Sequence, residues 1–481
     1  MKLKILALLE FFVIVALAVA LVTQFISLRK TKAVVREPET PAESTLRYTP
    51  PPPPKFSVTG IKKLAELKRR FTPRMTKITD DIYYASGYAL GGVQMVITDE
   101  GLVIIDTTES KEAAREILRE FRKITDKPIR YIIYTHGHID HVCGSTVFME
   151  KGTEVIATED AVKFLRKDFG WLGEFHNRSR HNQFGDVAEA YARKIRIRAP
   201  FHLPTLSESK DFVWPTVTFD REYAFVLGGK RFQLYHTIGE TPDHLMVWLP
   251  DEKALFCGDL YYLSFPNLSS PMLEPRPVRG WYESLERMIA MGPAYLIPGH
   301  TSAVIGTEKI RETLTFRARA IRYVCEQTFK CINEDRSVEE AVRKIKLPEE
   351  LASKKQLEEG YGRVDWSVRG IYQGEKGWYD GRGTQLNPLP PGYRARELIA
   401  LAGGADKILA RAIGLQKMGE HQLVCELCDV VLEANSEDKL AHIIKANSLE
   451  YLAYATGNLN MFGFYRSAAS LERKSAGLKP E

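Results

Sequence analysis

Apolar and polar positions change their rhythm several times along the chain. Residues 5 to 26 are apolar but for Glu10, Thr23 and Gln24, enough for a helix across a bilayer core, which takes about 20 residues. The run exceeds the ~7–15-residue apolar stretch of a secretory signal, so a transmembrane signal anchor is expected over residues 1–28. Lys2 and Lys4 precede it, and Arg29, Lys30, Lys32 and Arg36 follow. That excess favours a cytoplasmic body, whereas the triplets Asn177-Arg-Ser and Asn267-Leu-Ser fit glycosylation acceptors of a lumenal one. A single-pass membrane localisation is expected, with the side left open. Residues 29–70 then read as a stalk: Pro50 to Pro54 is an unbroken extended spacer. Ile61, Leu64, Leu67 and Phe71 fall on one face of a short basic helix that follows.

From Met75 the rhythm becomes that of strands. Ile82 to Tyr84, Val93 to Ile97 and Leu102 to Asp106 are short β-type runs separated by Gly and Asp turns. Helical spacing follows from Lys111 to Ile124, then the apolar run Tyr131 to Tyr134. Phe219, Tyr223 to Leu227 and Phe232 to His236 resume the alternation, with Gly228-Gly229 as a tight hairpin turn. The stretch from Lys167 to Pro215 carries no clear period. Beyond Thr307 the pattern is helical: Lys309 to Thr328, a capping box at Ser337 to Glu340, then three- and four-residue spacing from Ala395 to Tyr454. A sheet domain over 71–310 and an all-helical one over 311–475 are expected.

Composition narrows this picture a little. With 481 residues, 44% hydrophobic and 27% charged, the chain is globular material for two or three domains. Its net charge of +6 has no basic cluster behind it, so no nucleic-acid partner is expected. The six cysteines are too few and scattered for a disulfide framework, and Cys425 and Cys428 read as core residues three apart on a helix.

The densest chemistry is Tyr134-Thr-His-Gly-His-Ile-Asp-His141. His136, His138, Asp140 and His141 directly follow a buried-type strand, and the chain has only 11 histidines. Side chains alternate at a strand end, so such a loop can feed two metals: His136 and His138 one, Asp140 and His141 the other. Further strands end in Glu240 or His244, in Cys-Gly-Asp259 and in Pro-Gly-His300. Loops at one sheet edge converge, so these weak signals strengthen each other.

The H-x-H-x-D-H loop, the Gly-Asp after a strand and the Pro-Gly-His resemble the metallo-β-lactamase superfamily. Gly-Glu240-Thr-Pro, with Glu where a zinc-binding histidine usually stands, resembles its alkylsulfatase branch. Downstream, so do Tyr361 to Val364, Val368 to Tyr372, Gly377 to Gly381, Pro388 to Pro391 and Ala402 to Ala405. The resemblance implies a four-layered αββα sandwich, an α/β fold, followed by a helical domain that forms a homodimer. It implies two zinc ions per chain: one on His136, His138 and Glu240, one on Asp140, His141 and His300, with Asp259 bridging. His244 is then a neighbour, although a plain reading exchanges it with Glu240. Asp140 and Asp259 are the catalytic candidates, because two cations bring a shared water's pKa from ~16 to near neutrality.

The chain departs from the branch between Tyr261 and Arg279. Alkylsulfatases carry Asn, His and Arg there for the sulfate; here Glu274 stands where an arginine is expected. Arg276 or Arg279 is the candidate guanidinium for the anion, with Tyr262 beside it. The expected activity is metal-dependent hydrolysis of an alkyl sulfate or related amphiphilic or anionic small-molecule ester, by a membrane-anchored enzyme. The alternatives are a phosphodiester, thioester or lactone as substrate, or a non-catalytic membrane-tethered dimerisation scaffold.

Overall fold

The computed structural model describes residues 46–52, 72–184 and 211–479. Tyr48–Glu481 forms one compact unit. Strands β1 (Arg74–Lys77), β2 (Ile82–Ser86), β3 (Val93–Ile97) and β4 (Leu102–Ile105) make an antiparallel meander. Helix Lys111–Arg122, capped by Ser110, then crosses over to parallel β5 (Ile129–Ile133), β6 (Glu154–Thr158) and β7 (Val217–Phe219). Chain order is spatial order in this seven-stranded sheet. The second sheet has six strands in the order β13-β12-β11-β10-β9-β8: β8 (Glu222–Leu227), β9 (Lys230–His236), β10 (Leu245–Leu249), β11 (Ala254–Gly258), β12 (Tyr295–Pro298) and β13 (Val304–Ile305). Gly228 and Gly229, both at positive φ, turn β8 into β9 as the sequence predicts.

The period-two pattern builds the layers. Along β10, Leu245, Val247 and Leu249 join the core between the sheets, with Phe232, Ile297 and the facing Ile82, Val103 and Ile133. Met246 and Trp248 point the other way, onto helices Val278–Met291 and Thr307–Asn333 through Trp281, Leu285 and Leu314. On the outer face of the first sheet, Met95, Ile104 and Ile132 meet Ala114, Ile117 and Phe121 of the first helix. Strands buried on both faces read as continuous apolar runs, and the result is the expected αββα sandwich.

The C-terminal part is helical. Helix Val338–Lys344 opens with the capping box of Ser337 and Glu340. Cys425 and Cys428 are buried free thiols on helix His421–Ala434, as their spacing predicts. Tyr48 is seated on these helices, donating to Gln416 Oε1 (2.8 Å) and accepting from Asn447 Nδ2 (2.9 Å).

The segment without a sequence period holds helix Gly173–Phe184, preceded by a π-helical turn at Lys167–Trp171. Tertiary contacts, rather than an amphipathic stripe, hold this helix. Its Asn182 carbonyl accepts from Ser467 Oγ (2.8 Å), and Gln183 donates to Asn460 Oδ1, both partners on helix Leu459–Ser475. Gly463 lies flat against it: a Cβ there would sit 1.9 Å from the Gln183 carbonyl oxygen.

One expectation is corrected. Among the described residues no helix is long and apolar enough to cross a membrane; the longest, Thr307–Asn333, buries one face on the sandwich and carries charged residues elsewhere. The transmembrane signal anchor (1–28) and the basic helix at 61–71 lie outside the described residues. With no spanning helix found, the membrane-spanning element, the tethering to a bilayer and the single-pass localisation are not retained. The sequon at Asn267 is overturned too: that side chain is 1% exposed and cannot carry a glycan in the folded protein.

The Gly463 contact generates a prediction. Gly463→Ala overpacks the junction between helices Gly173–Phe184 and Leu459–Ser475 and should lower the unfolding free energy by ~1–3 kcal/mol, read from denaturant midpoints. An unchanged midpoint would show that the two helices are free to part.

Candidate active site

Strands β4, β5, β11 and β12 end on one edge of the sandwich, in two parallel pairs. Parallel neighbours deliver their following loops to the same side. Asp106 follows β4, the His136 to His141 loop follows β5, Asp259 follows β11 and His300 follows β12. The Pro-Gly-His signature has a steric reason: a Cβ on Gly299 would lie 2.7 Å from the His141 ring and 2.8 Å from Asp259 Oδ1. Gly258 sits at φ 46°, with Thr135 and His244 where a side chain would go.

The expected residues do meet. His141 Nε2 is 3.5 Å from Asp259 Oδ1 and 3.7 Å from Asp140 Oδ2. His300 Nε2 lies 3.2 Å from Asp140 Oδ2 and 3.1 Å from Asp259 Oδ2. His136 Nε2 faces His138 Nδ1 at 2.9 Å. Donor atoms of His136, His141 and Asp259, and of Asp140, His141 and His300, each gather within 4.8 Å. Glu240 lines the same cavity, with Oε1 paired to Arg276.

Whether a metal fits here can be judged from unmet hydrogen-bonding capacity. His141 Nε2, Asp259 Oδ1 and Glu240 Oε2 are buried without a hydrogen-bond partner. All three belong to the proposed ligand set, and His141 Nε2 and Asp259 Oδ1 face each other at 3.5 Å, an ion-pair distance with no hydrogen bond formed. Imidazole and carboxylate donors at this density suit a divalent transition metal.

The charges agree. Burial pushes Asp140 and Asp259 up, but His141 and His300 outweigh it, holding Asp140 at about 2 and Asp259 well below the usual carboxylate range. Burial pulls the two histidines down, but Asp106, Asp259 and Asp140 raise His141, and Asp259 and Asp140 raise His300. Burial drives His138 down to about 3, so it stays neutral and free to ligate.

Several functional neighbours escaped the sequence reading. Asp106 Oδ2 contacts His141 Nδ1 at 2.7 Å, while Asp106 also accepts from Thr135 N (2.8 Å) and Thr135 Oγ1 (2.9 Å). This fixes the His141 tautomer with Nε2 turned inward. The signal was present: Asp106 is another acid at a strand end. The Leu90 carbonyl does the same for His300 Nδ1 (2.8 Å), and buried Glu109 holds that loop through Leu90 N (2.7 Å) and Gly91 N (3.1 Å). Asp243 accepts from Gly137 N (2.8 Å), between the two leading histidines. His244, which the sequence does mark as a neighbour, accepts the Asp259 backbone N–H on Nε2 (3.1 Å), so its ring orients Asp259 while Glu240 keeps a free oxygen.

The substrate-side residues divide. Tyr262 is buried, accepts from Asn267 N (2.6 Å) and is stacked beneath the buried Arg317 guanidinium (4.6 Å). It lines an apolar recess with Tyr84, Ala89, Leu90, Tyr361 and Leu459, next to His300. Arg276 lies in the cavity, tied to Glu240. Arg279 is exposed on its helix and absent from the cavity wall. Glu274 pairs with Lys167. Unforeseen wall residues come from helix Gly173–Phe184: His176, Ser179, Arg180 and Gln183.

Known proteins place this architecture. Residues 88–300 match the metallo-beta-lactamase superfamily model and residues 337–475 the alkyl sulfatase dimerisation model. The linear primary-alkylsulfatase of Pseudomonas sp. (strain ATCC 19151) is 35% identical over 395 residues, covering 80% of this chain and 74% of that protein. An (R)-specific secondary-alkylsulfatase of Pseudomonas sp. is 25% identical over 407 residues, covering 82% of this chain and 61% of that one. The solved structure of the stereoselective inverting sec-alkylsulfatase Pisa1 from Pseudomonas sp. shares the fold, with a TM-score of 0.77 at 23% identity over 87% of this chain and 67% of that one. The chain belongs to the alkylsulfatase branch of the metallo-β-lactamase superfamily.

Proposed function

We propose that this hydrolase uses two zinc ions to cleave an alkyl sulfate or a related amphiphilic ester. The observation that carries the reading is the set of buried, unpartnered donor atoms, His141 Nε2, Asp259 Oδ1 and Glu240 Oε2, gathered at one sheet edge. In this reading His136, His138 and Glu240 hold one ion, Asp140, His141 and His300 the other, and Asp259 lies between. When bound, such a pair supplies activated water near neutral pH and positive charge for an anionic ester. Asp106 and the Leu90 carbonyl hold the protons of His141 and His300 on Nδ1, so that both Nε2 atoms would be available to metal ions. Arg276 steadies Glu240 through Oε1 and leaves Oε2 to the metal. The apolar recess beside His300 suits the hydrocarbon end of the substrate, with Tyr262 and Tyr361 as walls.

One observation favours a second substrate class. Glu274 occupies the place of an expected arginine and is paired with Lys167, which removes a sulfate-seeking guanidinium from that loop. A phosphodiester, thioester or lactone is the alternative, with the same metal chemistry. Purified protein offered dodecyl sulfate beside a panel of these esters separates the two: sulfate release supports the first, and turnover of another ester alone sinks it.

Homodimer formation is proposed through the C-terminal helices. The stretch around helix Pro391–Leu401 exposes Trp378, Leu386, Leu389 and Leu401, each more than 60% accessible. Large apolar side chains exposed along one stretch of a chain that matches a dimerisation domain fit an interface.

Three outcomes are expected. His138→Ala and Asp140→Ala each abolish turnover and lower the zinc content measured by mass spectrometry; retained turnover would remove the metal from the reaction. Asp106→Asn keeps the fold but weakens zinc binding by ~10–100-fold, the usual effect of losing an orienting carboxylate, as read by competition with a chelator. Light scattering should give the mass of two chains, falling to one on charge substitution at Leu389 and Leu401; a monomeric wild type would refute the dimer.

A further inference from the structure

An anionic ester needs a hydrogen-bond donor beyond the metals, and the arginines that the sequence offers are engaged elsewhere. Arg276 is committed to Glu240 and Arg279 is exposed. A third guanidinium does line the active-site cavity, together with Asp140, Glu240, Asp259 and His300: that of Arg180, on helix Gly173–Phe184. Its Nη2 is anchored on Asp168, and the plane lies 5.3 Å from the Phe169 ring. Its Nη1 is buried and has no partner. An unmet charged donor costs more than a neutral one.

A second unpartnered group stands in the same wall. Asn267 is 1% exposed, and neither its Oδ1 nor its Nδ2 has a partner. The helix that carries Arg180 is also fixed from outside. Ser467 and Asn460 bond its last turn, and Gly463 admits the close approach. On its other side Ser179 Oγ reaches the Met272 carbonyl (3.4 Å), in the segment that departs from the branch.

We propose that Arg180, oriented by Asp168 and assisted by the Asn267 amide, is the residue that recognises the oxyanion of the substrate in this chain. The negative charge of Asp168 offsets much of the guanidinium's field, so the recognition is directional, through the Nη1–H donors that have no partner within the protein, rather than long-range attraction. The C-terminal helices thereby contribute to specificity, because they set the position of the Arg180 helix.

The choice of ligand rests on the sulfate-ester reading, and the test separates the two. Inorganic sulfate is titrated calorimetrically into the zinc-loaded full chain, wild type and Arg180→Gln, and kcat and KM on dodecyl sulfate are measured in parallel. The expected result is a rise of at least about tenfold in both the sulfate Kd and KM, with zinc content and Tm unchanged, and partial recovery in Arg180→Lys. If Arg180→Gln does not fold, the double substitution Arg180→Met with Asp168→Asn removes both charges together and is read in the same way. Sulfate binding within about twofold of wild type in the folded variant, or no sulfate binding by wild type, overturns the assignment. Arg180-dependent sulfate binding without sulfate-ester turnover would leave it standing and refute the sulfatase reading instead.

Discussion

Buried negative charge in search of a cation organises this molecule. Asp106, Asp140 and Asp259 are at most 8% exposed and surround His141 and His300. Carboxylates in a dry interior cannot all remain ionised without positive charge nearby. A pair of divalent ions would meet that need. The αββα sandwich is arranged around this constraint: both sheets send parallel strand ends to one edge, where the loops carry the candidate metal ligands. Apolar burial on both faces of each sheet fixes the strand registers, and therefore the positions of Asp106, His136, Asp259 and His300 relative to one another.

A second layer converts a cluster of donors into an oriented site. Asp106 and the Leu90 carbonyl select tautomers, the His244 ring holds the Asp259 backbone, and Arg276 steadies Glu240. Each of these contacts leaves a candidate ligand atom facing inward. The helical part closes the other side. Tyr361, Leu459 and the clamped helix Gly173–Phe184 complete cavity walls that the sheets alone would leave open.

What was readable in the sequence follows the range of the interactions. That the histidine loop, Asp259 and His300 would gather was readable because strand ends are local in sequence, and Gly299 and Gly258 are glycines for steric reasons at those same loops. The layers were readable from period-two alternation and helical spacing. Asp106 was overlooked although it ends a strand like the others, since its role shows only beside His141. Helix Gly173–Phe184 was illegible because it is polar around its circumference and is held by Asn460, Gly463 and Ser467, nearly three hundred residues away. The engagement of Arg276 by Glu240, and the exposure of Arg279, depend on side-chain placement that no spacing reveals. Apolar length at the N-terminus spoke for a membrane span, and no helix among the described residues bears that out.

The central claim is that two metals occupy the buried edge cluster. Anomalous scattering from a crystal of the zinc-loaded protein, collected on either side of the zinc absorption edge, tests it most directly. The account predicts two peaks, one among His136, His138 and Glu240 and one among Asp140, His141 and His300, with Asp259 between them. A map with no peak at this edge, or with a single ion held away from His141 and Asp259, would contradict it.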